Sequence, residues 1–296
     1  MKEAGHFHEI FLGDQDILQN FFIRYNRPHS IYNFANLYMW GRLHKYWWMI
    51  LNERLHLYSD IDDSAIMPLG DGVTSENLLE LSDFLESHGR KGNFCFVPPD
   101  FVDSHKQLEN YFFIKYDKDN ADYIYSCQKL FELKGKKLHK KKNLLSQFQR
   151  DNPDYICSAL SPQYYSECID LSEKWCEDKS CNIVSYAYET DALRRGFDYF
   201  TALNLEGLVI LLKNQVIAFS VFNRLNNNTA LVHFEKYNRE VKGSGQVINW
   251  ETARVLSEKY SFLNREQDLG IEGLRQAKQS YDPDDWLITC RLIRKR

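Results

Sequence analysis

The chain has no C-x-x-C pair. Its seven cysteines, Cys95, Cys127, Cys157, Cys168, Cys176, Cys181 and Cys290, are odd in number. That spacing offers no zinc site, and thiols set in apolar runs read as small hydrophobes of a reducing compartment. Long hydrophobic runs are also missing. The longest, residues 46–51 and 208–212, are strand-length, far short of the ~20 residues of a membrane-spanning helix. The opening Met1-Lys2-Glu3-Ala4-Gly5-His6 has no apolar stretch of a signal peptide. The expectation is a cytosolic chain, peripheral to the inner membrane surface at most. Excess positive charge is lacking too. With 37 Lys and Arg against 41 Asp and Glu the net charge is −4, which excludes whole-molecule electrostatic binding of nucleic acid and leaves only a local patch.

What is present is a globular composition, 44% hydrophobic and 26% charged over 296 residues, long enough for two ordinary lobes. Aromatics reach 15%, which favours well-filled cores or a lined cleft. The periodicities repeat one order of elements. In the second half a strand at 155–161 precedes helices at 163–178 and 189–203. An antiparallel meander at 208–212, 216–223 and 230–237 follows, then a helix at 246–259, a strand at 262–267, a helix at 271–281 and a strand at 286–293. The first half reads as a strand at 6–12, helices at 15–25 and 31–40, and strands at 47–51, 55–59 and 66–69. A helix at 75–87 capped by Thr74 or Ser75 comes next, then a strand at 93–97, a helical stretch near 105–110 and a strand from Phe112. Corresponding elements stand about 160–175 residues apart, as two copies of one α/β unit would. The expected division is 1–133 for the first lobe, 134–152 for a basic connecting helix and 153–296 for the second lobe.

The connecting segment concentrates Lys136, Lys137, Lys140, Lys141 and Lys142, while Leu138, Leu145 and Phe148 fall on one helical face. It reads either as a solvated linker docked by that stripe or as a patch for RNA or lipid phosphates. Candidate chemistry gathers in the second lobe. Alternation places His233 and Glu235 on one strand face. It also places Asn264, Glu266 and Asp268 on one face of the next strand and Arg265 and Gln267 on the other. Polar residues in a strand between helices need partners. Arg275 and Lys278 are helix neighbours beside a packing stripe of Leu274, Ala277 and Tyr281. Either these cations only neutralise Glu235, Glu266 and Asp268, or they hold a substrate phosphate or carboxylate while one carboxylate acts as base. Gly243-Ser244-Gly245 opens a helix, where backbone N–H groups can cradle a phosphate; a plain turn is the other explanation. His6 and His8 share a strand face without a third ligand, so no metal is expected. Gly270-Ile271-Glu272-Gly273 follows a strand rather than joining two helices, so its likeness to a nucleic-acid clamp is discounted.

This order of elements resembles the GNAT acyltransferase fold, present twice, each lobe a mixed sheet flanked by helices. The run 264–281, with His233-Phe234-Glu235-Lys236 and residues 134–148, resembles an uncharacterised bacterial family related to the C-terminal domain of phosphatidylglycerol lysyltransferases. The resemblance spans essentially the whole chain and extends to the Fem-type peptidyltransferases. It implies transfer of an aminoacyl group from charged tRNA to a lipid or peptide acceptor. Glu235 would be the base, with His233 beside it and Glu266 or Asp268 second. Asn264, Arg265, Arg275, Lys278 and Tyr281 would bind substrate, and the lysine helix would take the tRNA backbone. No cofactor is then required. Acetyl-CoA users carry Gln or Arg, then x-x-Gly-x-Gly/Ala, at the pyrophosphate loop, whereas this chain has Glu240 at the first position, softened by Arg239. The lysyltransferases also carry a large membrane-embedded domain ahead of this region; this sequence shows none, so the expectation is that any lipid acceptor is reached from the cytosolic surface. The alternatives are a CoA-dependent N-acyltransferase on the same fold and a non-catalytic module that binds RNA or anionic lipid.

Overall fold

The computed structural model describes residues 6–177 and 183–295. Cys181 and Asp178, and the side chains of Trp175 and Cys176, lie outside the described residues. In chain order come β1 (His8–Glu9), α1 (Gln15–Tyr25), α2 (Phe34–Met39), α3 (Gly41–His44), β2 (Tyr46–Leu51), β3 (Arg54–Ser59), β4 (Ser64–Leu69), α4 (Ser75–Ser87), β5 (Asn93–Val97) and α5 (Pro99–Ser104). The chain continues with β6 (Phe112–Ser126), α6 (Cys127–Glu132), α7 (His139–Asp151), β7 (Ile156–Ala159), α8 (Tyr165–Glu177), α9 (Ile183–Asp198), β8 (Glu206–Leu212), β9 (Gln215–Arg224) and β10 (Thr229–Tyr237). It closes with α10 (Ser244–Leu256), β11 (Phe262–Asn264), α11 (Glu272–Gln279) and β12 (Asp285–Arg294).

Local chemistry explains many of these boundaries. Thr74 caps α4 by accepting from the Asn77 N–H, and the Asn77 side chain accepts from the Thr74 N–H at 3.1 Å. The hairpin turns Asn52-Glu53 and Lys213-Asn214 have positive φ at both central residues, the conformation that matches strand twist. Other expectations give way to tertiary demands. The strand expected over 6–12 shrinks to two residues because the Asp14 carboxylate takes the Phe11 N–H and the Trp48 indole N–H, curling Leu12–Asp14 into a 3-10 turn. The helix expected over 31–40 is interrupted at Asn33, whose side chain is drawn to Asn223 and to the Arg224 carbonyl.

Two compact units result. The first comprises Met1–Arg27, Trp40–Ala121 and Leu287–Arg296; the second comprises Pro28–Met39 and Asp122–Trp286. Both therefore differ from contiguous lobes divided at 133 and 152. The physical reason is packing. Leu138, Leu145 and Phe148 of the expected linker are buried in the core of the second unit, with Tyr123, Tyr125, Ile248 and Leu263, and β12 returns Cys290 and Leu292 to the core of the first. Strand order is β1-β2-β3-β4-β5-β12 in the first unit; in the second, the Asp122–Ser126 end of β6 leads the order β6-β11-β10-β9-β8-β7. Each has one parallel pair, β4 with β5 and β10 with β11, beside an antiparallel meander. Each unit is a mixed sheet with helices. Among the described residues no helix is long and apolar enough to cross a membrane.

Candidate functional site

The site in the second unit begins where two strands part. β10 and β11 pair at Thr229↔Phe262, Ala230↔Leu263 and Leu231↔Asn264, and then β11 stops. The side-chain oxygen of Asn264 accepts the Glu266 N–H at 2.7 Å, a local turn bond that competes with the strand ladder. Glu266 itself is left-handed, φ 57°. The expected strand 262–267 is thus three residues long, and its alternation of faces is lost beyond Asn264. Alternation also fails in β10, where the register shifts between Val232 and Phe234. That bulge adds one residue, so Glu235 turns toward α10 and His233 turns the opposite way. The expectation that His233 and Glu235 share a face is corrected by it.

On the α10 side, Arg265 donates to Glu235 at 2.6 Å, and Asn249 of α10 reaches the other carboxylate oxygen at 3.4 Å. The guanidinium is walled by the rings of Tyr125 and Tyr281, whose centres lie 5.7 and 5.2 Å from it. Lys141 turns inward from α7, its ammonium 4.3 Å from the Tyr281 ring centre. Lys278 is buried and donates to the carbonyls of Arg265 and Glu266, pinning the loop after β11. Burial, then the Arg265 charge, lowers its pKa to about 8.

On the other side, His233 is enclosed, with Nδ1 3.2 Å from Glu266 and Nε2 3.1 Å from Asn223. Burial raises the Glu266 carboxyl above its usual range, against the pull of His233. Asp122 is fully buried and accepts from the Ser30 N–H at 2.6 Å, the Ser30 hydroxyl, Asn264 at 2.8 Å and Gln267. These bonds tie Pro28–Met39 to the rest of the unit. Asp268 is likewise buried. It accepts twice from Arg275, once from Tyr123 and once from the Gly270 N–H. Burial works against its charge, but those donors outweigh it and hold the carboxyl below the usual range.

The sequence candidates therefore fall into three groups. Glu235, Arg265, Tyr281 and Lys278 come together, His233, Glu266 and Asn264 form a second network, and Asp268 with Arg275 forms a third. Gly243, Ser244 and Gly245 line a cleft of about 440 Å³, with Leu144, Tyr237, Arg239, Lys242 and Gln246, and with Gly273, Leu274 and Ala277 of α11. Gly243 has φ 87°, and a Cβ there would meet Phe148 at 2.7 Å, so its glycine is needed for packing as well as for the turn. The Gln246 side chain also lies near the Tyr281 hydroxyl, on the side of the cleft that faces the Glu235 group. Lys136, Lys137, Lys140 and Lys142 are exposed, and Lys137 pairs with Asp282 at 2.6 Å. Sequence reasoning missed Asp122, Asn249, Gln246 and the β6 tyrosines Tyr123 and Tyr125. The alternation Tyr123-Ile124-Tyr125 in β6 is a signal that could have revealed the last; the others carry none.

Known proteins corroborate the architecture. The family described as phosphatidylglycerol lysyltransferase, C-terminal, matches residues 22–288. A conserved protein of unknown function from Bacteroides thetaiotaomicron is 30% identical, with a TM-score of 0.89 over 98% of this chain and 99% of that one. L-PGS from Bacillus licheniformis is 14% identical, with a TM-score of 0.63 over 96% and 92%. FemX is 8% identical, at 0.59 over 98% and 97%. An uncharacterised protein of Mycoplasmoides gallisepticum is 27% identical over 188 residues, 57% of this chain; the match spans 56% of that relative's length. The fold is tandem GNAT-like, as the order of elements led us to expect.

Proposed function

Because the chain belongs to the phosphatidylglycerol lysyltransferase C-terminal family, a family of transferases, we propose that it moves an aminoacyl group from charged tRNA to a lipid or peptide acceptor in the cleft of its second unit. One observation carries the reading. Beyond the end of β10 a cleft carries a helix N-terminus and two cations, Arg239 and Lys242, on its lining, and Tyr281, near the lining residue Gln246, stands beside the guanidinium of the buried Glu235–Arg265 pair.

An aminoacyl ester is already activated, so the protein has to position it, accept a proton from the attacking nucleophile and stabilise the oxyanion. The reading accordingly needs no cofactor. Glu235 is the base of choice because its second oxygen holds only the 3.4 Å contact from Asn249, whereas Asp268 is saturated by four donors. The nucleophile's lone pair attacks the carbonyl carbon as its proton passes to Glu235; the bond to the ribose oxygen then breaks, and that oxygen takes the proton back from Glu235 and leaves as the tRNA hydroxyl. Arg265 orients Glu235. The helix N-terminus, Arg239 and Lys242 take phosphate, and the exposed Lys136, Lys140 and Lys142 take the tRNA backbone with steep salt dependence.

Incubation with a pool of charged tRNAs and lipid and peptide extracts should yield a mass-shifted acceptor. Glu235→Gln should remain folded and yield none; full transfer by that variant removes Glu235 from the mechanism. A CoA-dependent N-acyltransferase is the second reading, favoured by the position of Gly243-Ser244-Gly245 in the cleft. Saturable thermal stabilisation by an acyl-CoA, with no transfer from tRNA, would select it.

A further inference from the structure

Two neighbouring cations in the second unit, Lys141 and Arg265, have one carboxylate, Glu235, between them. Among the lysines of the 134–142 run only Lys141 is not exposed. Among the described residues it forms no ion pair; its ammonium rests 4.3 Å from the centre of the Tyr281 ring. The Arg265 guanidinium lies 5.2 Å from the same ring. One nitrogen of that guanidinium serves Glu235 at 2.6 Å, while Nη1 is buried with no hydrogen-bond partner. A single carboxylate thus serves two neighbouring cations. Burial, then the Arg265 charge, lowers the affinity of Lys141 for its proton. Native structures seldom leave such donors unmet unless something else completes them.

The position of the pair shows where a completing group would enter. Leu144, three residues from Lys141 and hence on the same face of α7, lines the cleft. So does Gln246, which lies near the Tyr281 hydroxyl. We propose that Lys141 and the free edge of Arg265 form a binding site for one phosphate-type oxyanion, seated beside Tyr281 at the cleft. This site uses side chains of α7 and of the loop after β11, separate from the N-terminus of α10, and it rests on the reading of the cleft as the place of transfer. Two donors on different elements suit a tetrahedral group that presents oxygens in several directions, more than a planar carboxylate. Free phosphate and the phosphodiester of a lipid headgroup offer the same chemistry.

Calorimetric titration of the full chain distinguishes these sources, with inorganic phosphate in one arm and dihexanoylphosphatidylglycerol below its micelle concentration in the other. The probe that saturates the site at lower concentration identifies the source. Lys141→Gln should weaken binding about tenfold or more, the loss expected for one charge-assisted contact, and Lys141→Arg should restore it to within about threefold. Lys134→Gln, at an exposed lysine of the same run that pairs with Glu132, should leave it unchanged. Equal binding by the Lys141→Gln and Lys134→Gln variants, failure of Lys141→Arg to rescue, or no saturable binding of either probe overturns the site. A wild-type protein that transfers aminoacyl groups but binds neither probe loses this site and keeps the transfer reading. Binding without any transfer does the reverse.

Discussion

Glu235 and Arg265 stand thirty residues apart and meet at 2.6 Å, each largely shielded from water. Removing one member of such a pair strands the other's charge. Glu235→Gln should therefore lower unfolding stability by about 3 kcal/mol, while replacing both as Glu235→Gln with Arg265→Met should recover most of that loss. Urea midpoints at neutral pH measure both; a double variant no more stable than the single one would show that the two do not act as a unit. Lys278 makes a pH-dependent prediction. Its folded pKa, about 8, lies below the ordinary 10.5, so between those values the unfolded chain holds more protons, and this residue's contribution to stability rises with pH. Lys278→Met should flatten the rise in urea midpoint between about pH 8 and 10 relative to the wild type. An unchanged slope would mean that the ammonium is not desolvated as its contacts indicate. At this scale the sequence named the right residue types, but the pairs were legible only in part. Nothing in the alternation of β10 announced the bulge at His233 that separates it from Glu235.

Elements show where local rules suffice. Helices α1 and α4 and strand β5 have the boundaries that caps, periodicity and turn residues suggest. The loop after β11 does not, because an asparagine bond to Glu266 and the Lys278 contacts to two carbonyls override strand propensity. The start of α10 is similarly constrained. A Cβ on Gly243 would stand 2.7 Å from Phe148 in a left-handed backbone, whereas one on Gly245 would meet the Tyr237 ring at 2.8 Å. Gly243→Ala should cost more than about 1 kcal/mol, through strain and overpacking together. Gly245→Ala should instead displace a ring that lines the cleft, weakening ligand binding more than stability. Thermal melts beside titrations separate the two outcomes, and equal effects on both readouts would contradict this division.

At the scale of the molecule, the second unit is assembled from distant stretches of chain. Asp122 gathers Ser30, Asn264 and Gln267 around one carboxylate. Asp122→Ala should speed hydrogen exchange throughout Pro28–Met39, since it deletes the acceptor that holds that segment. Exchange unchanged there would place the anchor elsewhere. A fragment of residues 153–296 lacks Tyr123, Tyr125, Leu130, Leu138, Leu145 and Phe148, all of them core of that unit. It should show no cooperative thermal transition, as expected when a core is left open; a sharp one would show that those residues are dispensable.

Read alone, the sequence determined the class of fold, the order of elements, the doubling of one α/β pattern and the chemical inventory of the second half, because periodicity, caps and turns act over a few residues. Tertiary structure decided which stretches belong to which compact unit, and which acid meets which base. Those outcomes depend on a one-residue bulge, a side chain bonding to its own backbone and an inward-turned lysine, all set by packing partners far away in the chain.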